Sequence, residues 1–321
     1  MTKNFWTSGV ARIRNLPLRA LLLALLQFGV SFALISWILG RMDIAAIQSR
    51  FLQLNYGLLV AALLVLLLQA SLAAGRWRAI NQSLGPTPEM FWHFRVTMVS
   101  LFFGQVLPSN LGGDAYRLWA MAKAGQSRAQ TILGVLCDRL IGILALLVLC
   151  SAVLPLLHRI LGADQFAFWS YSGLVFVGIG AFVALAIVGW LAERRTLGKW
   201  LSVVLAPATA FIRLMAHPKS VRVIAIGIAV HLCAVLVLVL ISRAFEIDLS
   251  LLQALIIVPP ITLVVSLPIS VAGWGVREGA MIGGFALFGL NASDAVVLSV
   301  AFGAVGLVAG LVGSLFWISL K

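Results

Sequence analysis

The chain has 321 residues, of which 62% are hydrophobic and only 10% charged; its mean hydropathy is +1.09. Globular proteins carry ~45–50% apolar and ~25% charged residues, so this composition excludes disorder, a disulfide scaffold and a water-soluble enzyme, and leaves a polytopic membrane protein. The charge of +13, from 23 Lys and Arg against 10 Asp and Glu, is spread among apolar segments rather than gathered in a stripe. That pattern argues against nucleic acid and for cytoplasmic loops beside anionic headgroups.

A helix needs ~20 apolar residues to cross the hydrocarbon. Six segments qualify: about 18–39, 57–75, 129–155, 170–192, 222–242 and 294–318. The first exceeds the ~7–15 apolar residues of a signal peptide and is long enough to span. Two further apolar regions are interrupted. One runs from Phe91 to Leu107, breaks at Pro108–Gly113 and resumes over about 115–124. The other runs from Leu251 to Leu267, breaks at Pro268–Gly275 and resumes to about Gly289. Their returning arms are too short to cross, so both read as re-entrant hairpins whose irregular tips are buried in protein or face a wet cavity.

The stretch 196–216 reads as a cytoplasmic interfacial helix. With the N-terminus inside, fifteen Lys and Arg, from Lys3 to Lys321 and including Arg76, fall on the cytoplasmic side; only Arg41, Arg50, Arg159 and Arg243 fall outside. The positive-inside rule therefore puts both termini in the cytoplasm of a multi-pass protein of the cytoplasmic membrane. Trp37, Trp77, Trp92, Trp119, Trp169, Trp190 and Trp200 fall near the expected interfaces, where indole rings anchor depth.

The tips resemble each other. LPSNLGGDAYR (Leu107–Arg117) and LPISVAGWGVR (Leu267–Arg277) share Leu, Pro, a small polar residue, Gly and Arg at an offset of 160 residues. Each follows a full span and an apolar arm and precedes another full span. The organisation expected is a tail and first span over 1–56, repeat 1 over 57–155, a connecting span and interfacial helix over 156–221, and repeat 2 over 222–321. Three crossings separate the start of the repeats, an odd number, which predicts inverted topology of the kind built around broken helices.

Six ionisable residues fall in or beside the expected membrane interior: Asp114, Arg117, Asp138, Arg139, Arg277 and Glu278. Each costs ~2.5–3.5 kcal/mol or more at a helix centre unless paired or hydrated. They allow two readings, a set of ion pairs that fixes packing or a polar pocket for a charged headgroup. In the first tip Gly112 and Gly113 permit positive φ or close backbone approach, Asp114 suits a helix cap, and Arg117 offers a planar fork to phosphate. The second tip repeats the pattern with Gly273, Gly275 and Arg277, while Asn110 and Ser270 can bond the tip backbone or a headgroup. Gly306 and Gly310 form a GxxxG of the helix-packing type, and Pro259–Pro260 should kink the rising arm. Cys137, Cys150 and Cys233 lie in apolar runs and the histidines are scattered, so no metal site is expected. No P-loop is present, so direct ATP use is not expected, and no cofactor is expected.

FGQVLPSNLGGDAYRLWAMAKAGQS, the Cys137-Asp138-Arg139 step and LPISVAGWGVREGA resemble the membrane region of lysylphosphatidylglycerol synthases, a family also called flippase-like, over about residues 18–318. The resemblance implies an all-α fold and a role in moving a lipid between leaflets; members accompany aminoacylated phospholipid, polyprenyl-sugar, polysaccharide or hopanoid pathways. The sequence ends at Lys321, so the cytoplasmic aminoacyl-transferase domain of the full-length synthases, and with it synthase activity, is not expected. The leading expectation is a flippase or transporter of an anionic or phosphate-linked lipid. The alternatives are a membrane enzyme acting on a lipid phosphate or prenyl-linked sugar, with Asp114 or Glu278 as general base, and a structural partner of a lipid-modifying enzyme. Expected partners are the membrane lipid and either a second copy of the chain or such an enzyme.

Overall fold

The computed structural model describes residues 54–106, 112–161, 165–194, 199–266 and 273–318, together with Ser270 and five isolated residues of the N-terminal segment. The expected first span, 18–39, and most of both tip turns lie outside the described residues.

Among the described residues all regular structure is helical. The elements are α1 (Tyr56–Leu84), α2 (Met90–Val106), α3 (Gly112–Lys123), α4 (Arg128–Leu161), α5 (Gln165–Arg194), α6 (Lys199–Ala216), α7 (Ser220–Ala244), α8 (Leu251–Ser266), α9 (Val276–Ala286) and α10 (Ala292–Ile318). Five of them, α1, α4, α5, α7 and α10, are long and apolar enough to cross a membrane, and they fall on five of the six expected spans. The chain is a polytopic all-α membrane protein. The arms of the two interrupted regions are shorter. At 1.5 Å per residue, α2 and α8 with 17 and 16 residues reach about 26 and 24 Å, and α3 and α9 with 12 and 11 reach about 18 and 17 Å. None matches the ~30 Å of a hydrocarbon core.

Local chemistry sets several boundaries. Asn55 caps α1 by accepting the Leu58 N–H at 3.2 Å, which satisfies one of the orphan donors of a first turn. The second interrupted helix continues through its prolines: Pro259 and Pro260 lack the N–H groups that would reach the carbonyls of Leu255 and Ile256, yet α8 runs on to Ser266. On α6, Ala208, Phe211 and Leu214 are buried at near-helical spacing, and the helix packs on α5 and α4 as an amphipathic element does.

One boundary differs from the sequence reading. The span expected to close at residue 75 continues unbroken to Leu84, which carries Arg76 and Trp77 into the packed interior at 7% and 0% exposure. Arg76 is therefore not a cytoplasmic loop charge and Trp77 is not an interface anchor. The helix can continue because the Arg76 charge is met by Asp138, far away in sequence.

The largest core cluster joins α1, α7, α8, α9 and α10 through residues such as Ala62, Leu238, Ile257, Phe285 and Leu298. Ala62 on α1 and Ala234 on α7 belong to this cluster, and membrane helices use such small residues to approach closely. The GxxxG of α10 packs on α2: a Cβ at Gly310 would come within 3.4 Å of the Phe102 Cα. The helix neighbours also form a pattern. Besides the α1–α7 pair, α1–α2 corresponds to α7–α8, α2–α3 to α8–α9, α3–α4 to α9–α10 and α1–α4 to α7–α10. Between the two groups, α2–α10 corresponds to α8–α4 and α1–α10 to α7–α4.

Candidate functional site

Two charged centres occupy the interior. In the first, Asp138 on α4 sits between two guanidiniums: Arg76 Nε donates to Oδ1 at 2.8 Å and Arg117 Nη1 donates to Oδ2 at 3.0 Å. The side chain of Asp138 is 4% exposed. Arg117 also donates from Nε to Ser100 Oγ at 3.3 Å and lies over the Trp77 ring, 4.9 Å from its centroid. Close approach of α3 to α2 brings these groups together. It depends on Gly113, where a Cβ would lie 2.5 Å from the Ser100 carbonyl oxygen. Gly113 thus serves packing, and of its two expected roles the close approach is the one seen.

The centre holds two positive charges against one negative. Arg76 Nη1 is buried and donates to no group among the described residues. It faces Gly142 and Gly227, where an added Cβ would lie 3.5 Å away. His231 Nε2 bonds the Gly142 carbonyl at 3.0 Å, one turn along α7 from Gly227. Beside the centre, Asp114 in the first turn of α3 pairs with Arg139 at the edge of the packed region.

The second centre is built at the start of α9. Gly275 adopts φ +85°, the left-handed region that favours glycine, and its N–H donates to Glu278 Oε2 at 2.5 Å. Arg277 donates from Nη2 to Glu278 Oε1 at 3.1 Å and from Nε to Ser299 Oγ at 3.0 Å. Ser299 in turn donates to Glu278 Oε1 at 2.7 Å. The guanidinium carbon lies 4.7 Å from the Trp274 ring centroid. Gly273 adopts φ +81°, and Ser270 is buried.

The structure therefore brings Asp114, Arg117, Asp138 and Arg139 together, and separately Gly275, Arg277 and Glu278. Gly112 is buried at the start of α3, and Asn110 lies outside the described residues. Arg76, Trp77, Ser100 and Ser299 are the interior partners that sequence reasoning missed. The signal for Arg76 was present: Ala62, Gln69 and Arg76 recur every seven residues and so share one face of α1.

A third ionisable group lies near the loop end of α2. His93 is fully buried, sits 4.9 Å from the Trp77 ring, and bonds Thr87 Oγ1 and the Glu89 carbonyl. Burial lowers its pKa to about 4, so the neutral ring is the stable form. No group of three His, Cys, Asp or Glu side chains able to hold a metal ion occurs among the described residues.

Long apolar helices, two interrupted pairs and arginine–carboxylate centres buried among them define a polytopic membrane protein. Residues 24–313 match the family described as the lysylphosphatidylglycerol synthase TM region, and the chain belongs to that family. Membership connects it with lipid modification or flipping. No curated protein and no solved structure matches the chain.

Proposed function

We propose that the protein is a lipid flippase that moves a phosphate-bearing lipid between the leaflets of the cytoplasmic membrane, with both termini in the cytoplasm. The observation that carries this reading is the surplus positive charge of the Arg76–Asp138–Arg117 centre. A buried cation without its own carboxylate is costly in hydrocarbon, and an anionic headgroup is the ligand that offsets it. Planar guanidiniums match phosphate in a way an ammonium does not. Family membership supports the same class of substrate.

The equivalent packing of α1–α4 and α7–α10 supports reading 57–155 and 222–321 as inverted repeats, the architecture in which a substrate site lies between broken helices. Arg117 and Arg277 engage the phosphate at successive stages. Asp138 and Glu278 hold each guanidinium when no phosphate is present, and Asp114 with Arg139 balances charge at the edge. Asn110, Gly112, Gly113, Ser270, Gly273 and Gly275 shape the tips.

Reconstituted vesicles with a fluorescent phospholipid, read beside thermal stability, test this reading. Arg117→Ala and Arg277→Ala are expected to lose translocation while remaining folded, and Arg→Lys to recover only part of it. Wild-type translocation by both Ala variants contradicts the proposal. Joint loss of folding and transport assigns the arginines to packing.

A further inference from the structure

His231 lies midway along α7 and stands between the two charged centres. One edge of its ring meets the first: Nε2 lies 3.0 Å from the Gly142 carbonyl oxygen, and a Cβ at Gly142 would lie 3.5 Å from the Arg76 guanidinium. Arg76 and Asp138 are both within electrostatic reach of the ring. The ring also lines a cavity of about 210 Å³ that Gln69, Thr262 and Arg277 share with apolar side chains, room enough for water.

A carbonyl oxygen only accepts, so Nε2 carries a proton and Nδ1 of the neutral ring keeps a free lone pair. Nδ1 has no hydrogen bond among the described residues. The oxygens beside it in the cavity wall are acceptors too. Gln69 Oε1 is buried and has no hydrogen-bond partner among the described residues. Thr262 gives its hydroxyl proton to the Val258 carbonyl at 2.8 Å, which leaves its oxygen only lone pairs. The charge of Arg277 is matched by Glu278 at 3.1 Å. Buried acceptors without a donor are costly, and a proton taken from water onto Nδ1 turns one of them into a donor.

The surplus charge next door opposes that proton. Around the ring stand Arg76 from α1, Asp138 from α4, whose other oxygen holds Arg117 of α3, and Arg277 with Glu278 from α9. From α8 and α10 the cavity receives Thr262 and apolar side chains, and α6 meets α7 at Val223, two turns away. On α7 itself Cys233 is two residues along and so on another side of the helix. Paired off, these groups leave one uncompensated positive charge, at the Arg76–Asp138–Arg117 centre. An anion bound there cancels it, so anion and proton each favour the other's binding, and by the same factor. Unit charges ~8 Å apart at an effective dielectric of ~20 change a binding constant more than tenfold.

We propose that His231 is a proton-binding site linked to the Arg76–Asp138–Arg117 centre, so that a proton is taken up when an anion binds there. The inference rests on the flippase reading for the identity of the anion. It gives that reading a source of drive: lipid and proton load together, and the proton gradient across the membrane works on the lipid.

The test follows the imidazole nitrogen signals of His231 by NMR in the full chain, labelled with nitrogen-15 histidine in lipid nanodiscs and assigned by comparison with His231→Gln. Arg117→Gln leaves Asp138 with a single guanidinium and so imitates the neutralising anion. In that variant His231 should bind its proton about tenfold more tightly than in wild type. Equal affinity overturns the linkage, and a ring still neutral at pH 4.5 in Arg117→Gln overturns the site. Dioctanoyl phosphatidylglycerol, whose phosphodiester stays singly charged over this range, is the anion probe. Wild type should bind it at least threefold more tightly at pH 4.5 than at pH 8. His231→Gln, whose amide nitrogen can still donate to Gly142, should show less than a 1.5-fold change at unchanged thermal stability. The same pH dependence in that variant assigns the proton to another group and overturns the proposal. Tighter proton binding in Arg117→Gln, with no saturable binding of the probe to folded wild type, refutes the flippase reading and keeps the proton linkage. Translocation with pH-independent binding does the reverse.

Discussion

Arg117 and Arg277 occur at matching places after the two helix breaks, and each is held by neighbours of the same kinds. Each donates from Nε to a serine hydroxyl, from a terminal nitrogen to a carboxylate, and stands over an indole ring. The difference lies in the carboxylate. Glu278 serves one guanidinium and is held by a backbone N–H and a hydroxyl as well. Asp138 serves two guanidiniums. The second centre is electrically closed, and the first carries a net positive charge. The same side-chain set thus makes a charge-balanced centre in one half of the molecule and a centre with surplus positive charge in the other.

The largest effect expected from this contrast follows removal of the shared carboxylate. Asp138→Asn leaves two buried guanidiniums without a counter-charge and should destabilise the protein by about 3–5 kcal/mol or more, the range for breaking a buried pair. Glu278→Gln strands one guanidinium, and the amide oxygen can still accept the Gly275 N–H, so its loss should be smaller. Thermal unfolding of both variants in one detergent checks the order; equal losses would remove the distinction between the centres.

Next comes pH. His93 keeps a pKa of about 4 through burial, against about 6.5 for the ordinary side chain. Its contribution is complete above pH 6.5 and is lost as pH falls toward 4, because the unfolded chain takes up the proton first. Wild type should lose on the order of 2–3 kcal/mol more than His93→Gln across that window, read by chemical denaturation at each pH. Identical pH profiles would contradict the assignment.

The smallest expected difference separates the serines. Ser299 both accepts from Arg277 and donates to Glu278, whereas Ser100 accepts a longer bond from Arg117 and donates to the Thr97 carbonyl. Ser299→Ala should cost about 1–3 kcal/mol and Ser100→Ala about 0.5–1.5 kcal/mol, and equilibrium unfolding of the two variants ranks them.

The helices were legible because each carries its signal locally: long apolar runs, Pro and Gly breaks, and an interfacial stretch at 196–216. Asp138, Arg117, Arg277 and Glu278 were legible as charges out of place in apolar sequence. Their partners were not. Arg76 looks like the end of a span until Asp138, 62 residues away, is packed against it. Trp77 has the composition of an interface anchor until Arg117 is laid on its ring. Ser100 and Ser299 are ordinary helix residues in the sequence, and only the close packing of α3 on α2 and α9 on α10 gives them a guanidinium to bond. Packing distant in sequence, rather than local pattern, made the difference.

The most direct measurement of the central claim is translocation by the purified wild-type chain. Vesicles containing it and a trace of fluorescent phosphatidylglycerol would be exposed to a membrane-impermeant quencher. The account predicts that the quenched fraction rises well beyond the outer-leaflet half on a timescale at which protein-free vesicles do not change, and that Arg117→Ala abolishes the rise. A folded wild-type protein whose vesicles quench no faster than empty ones would contradict it.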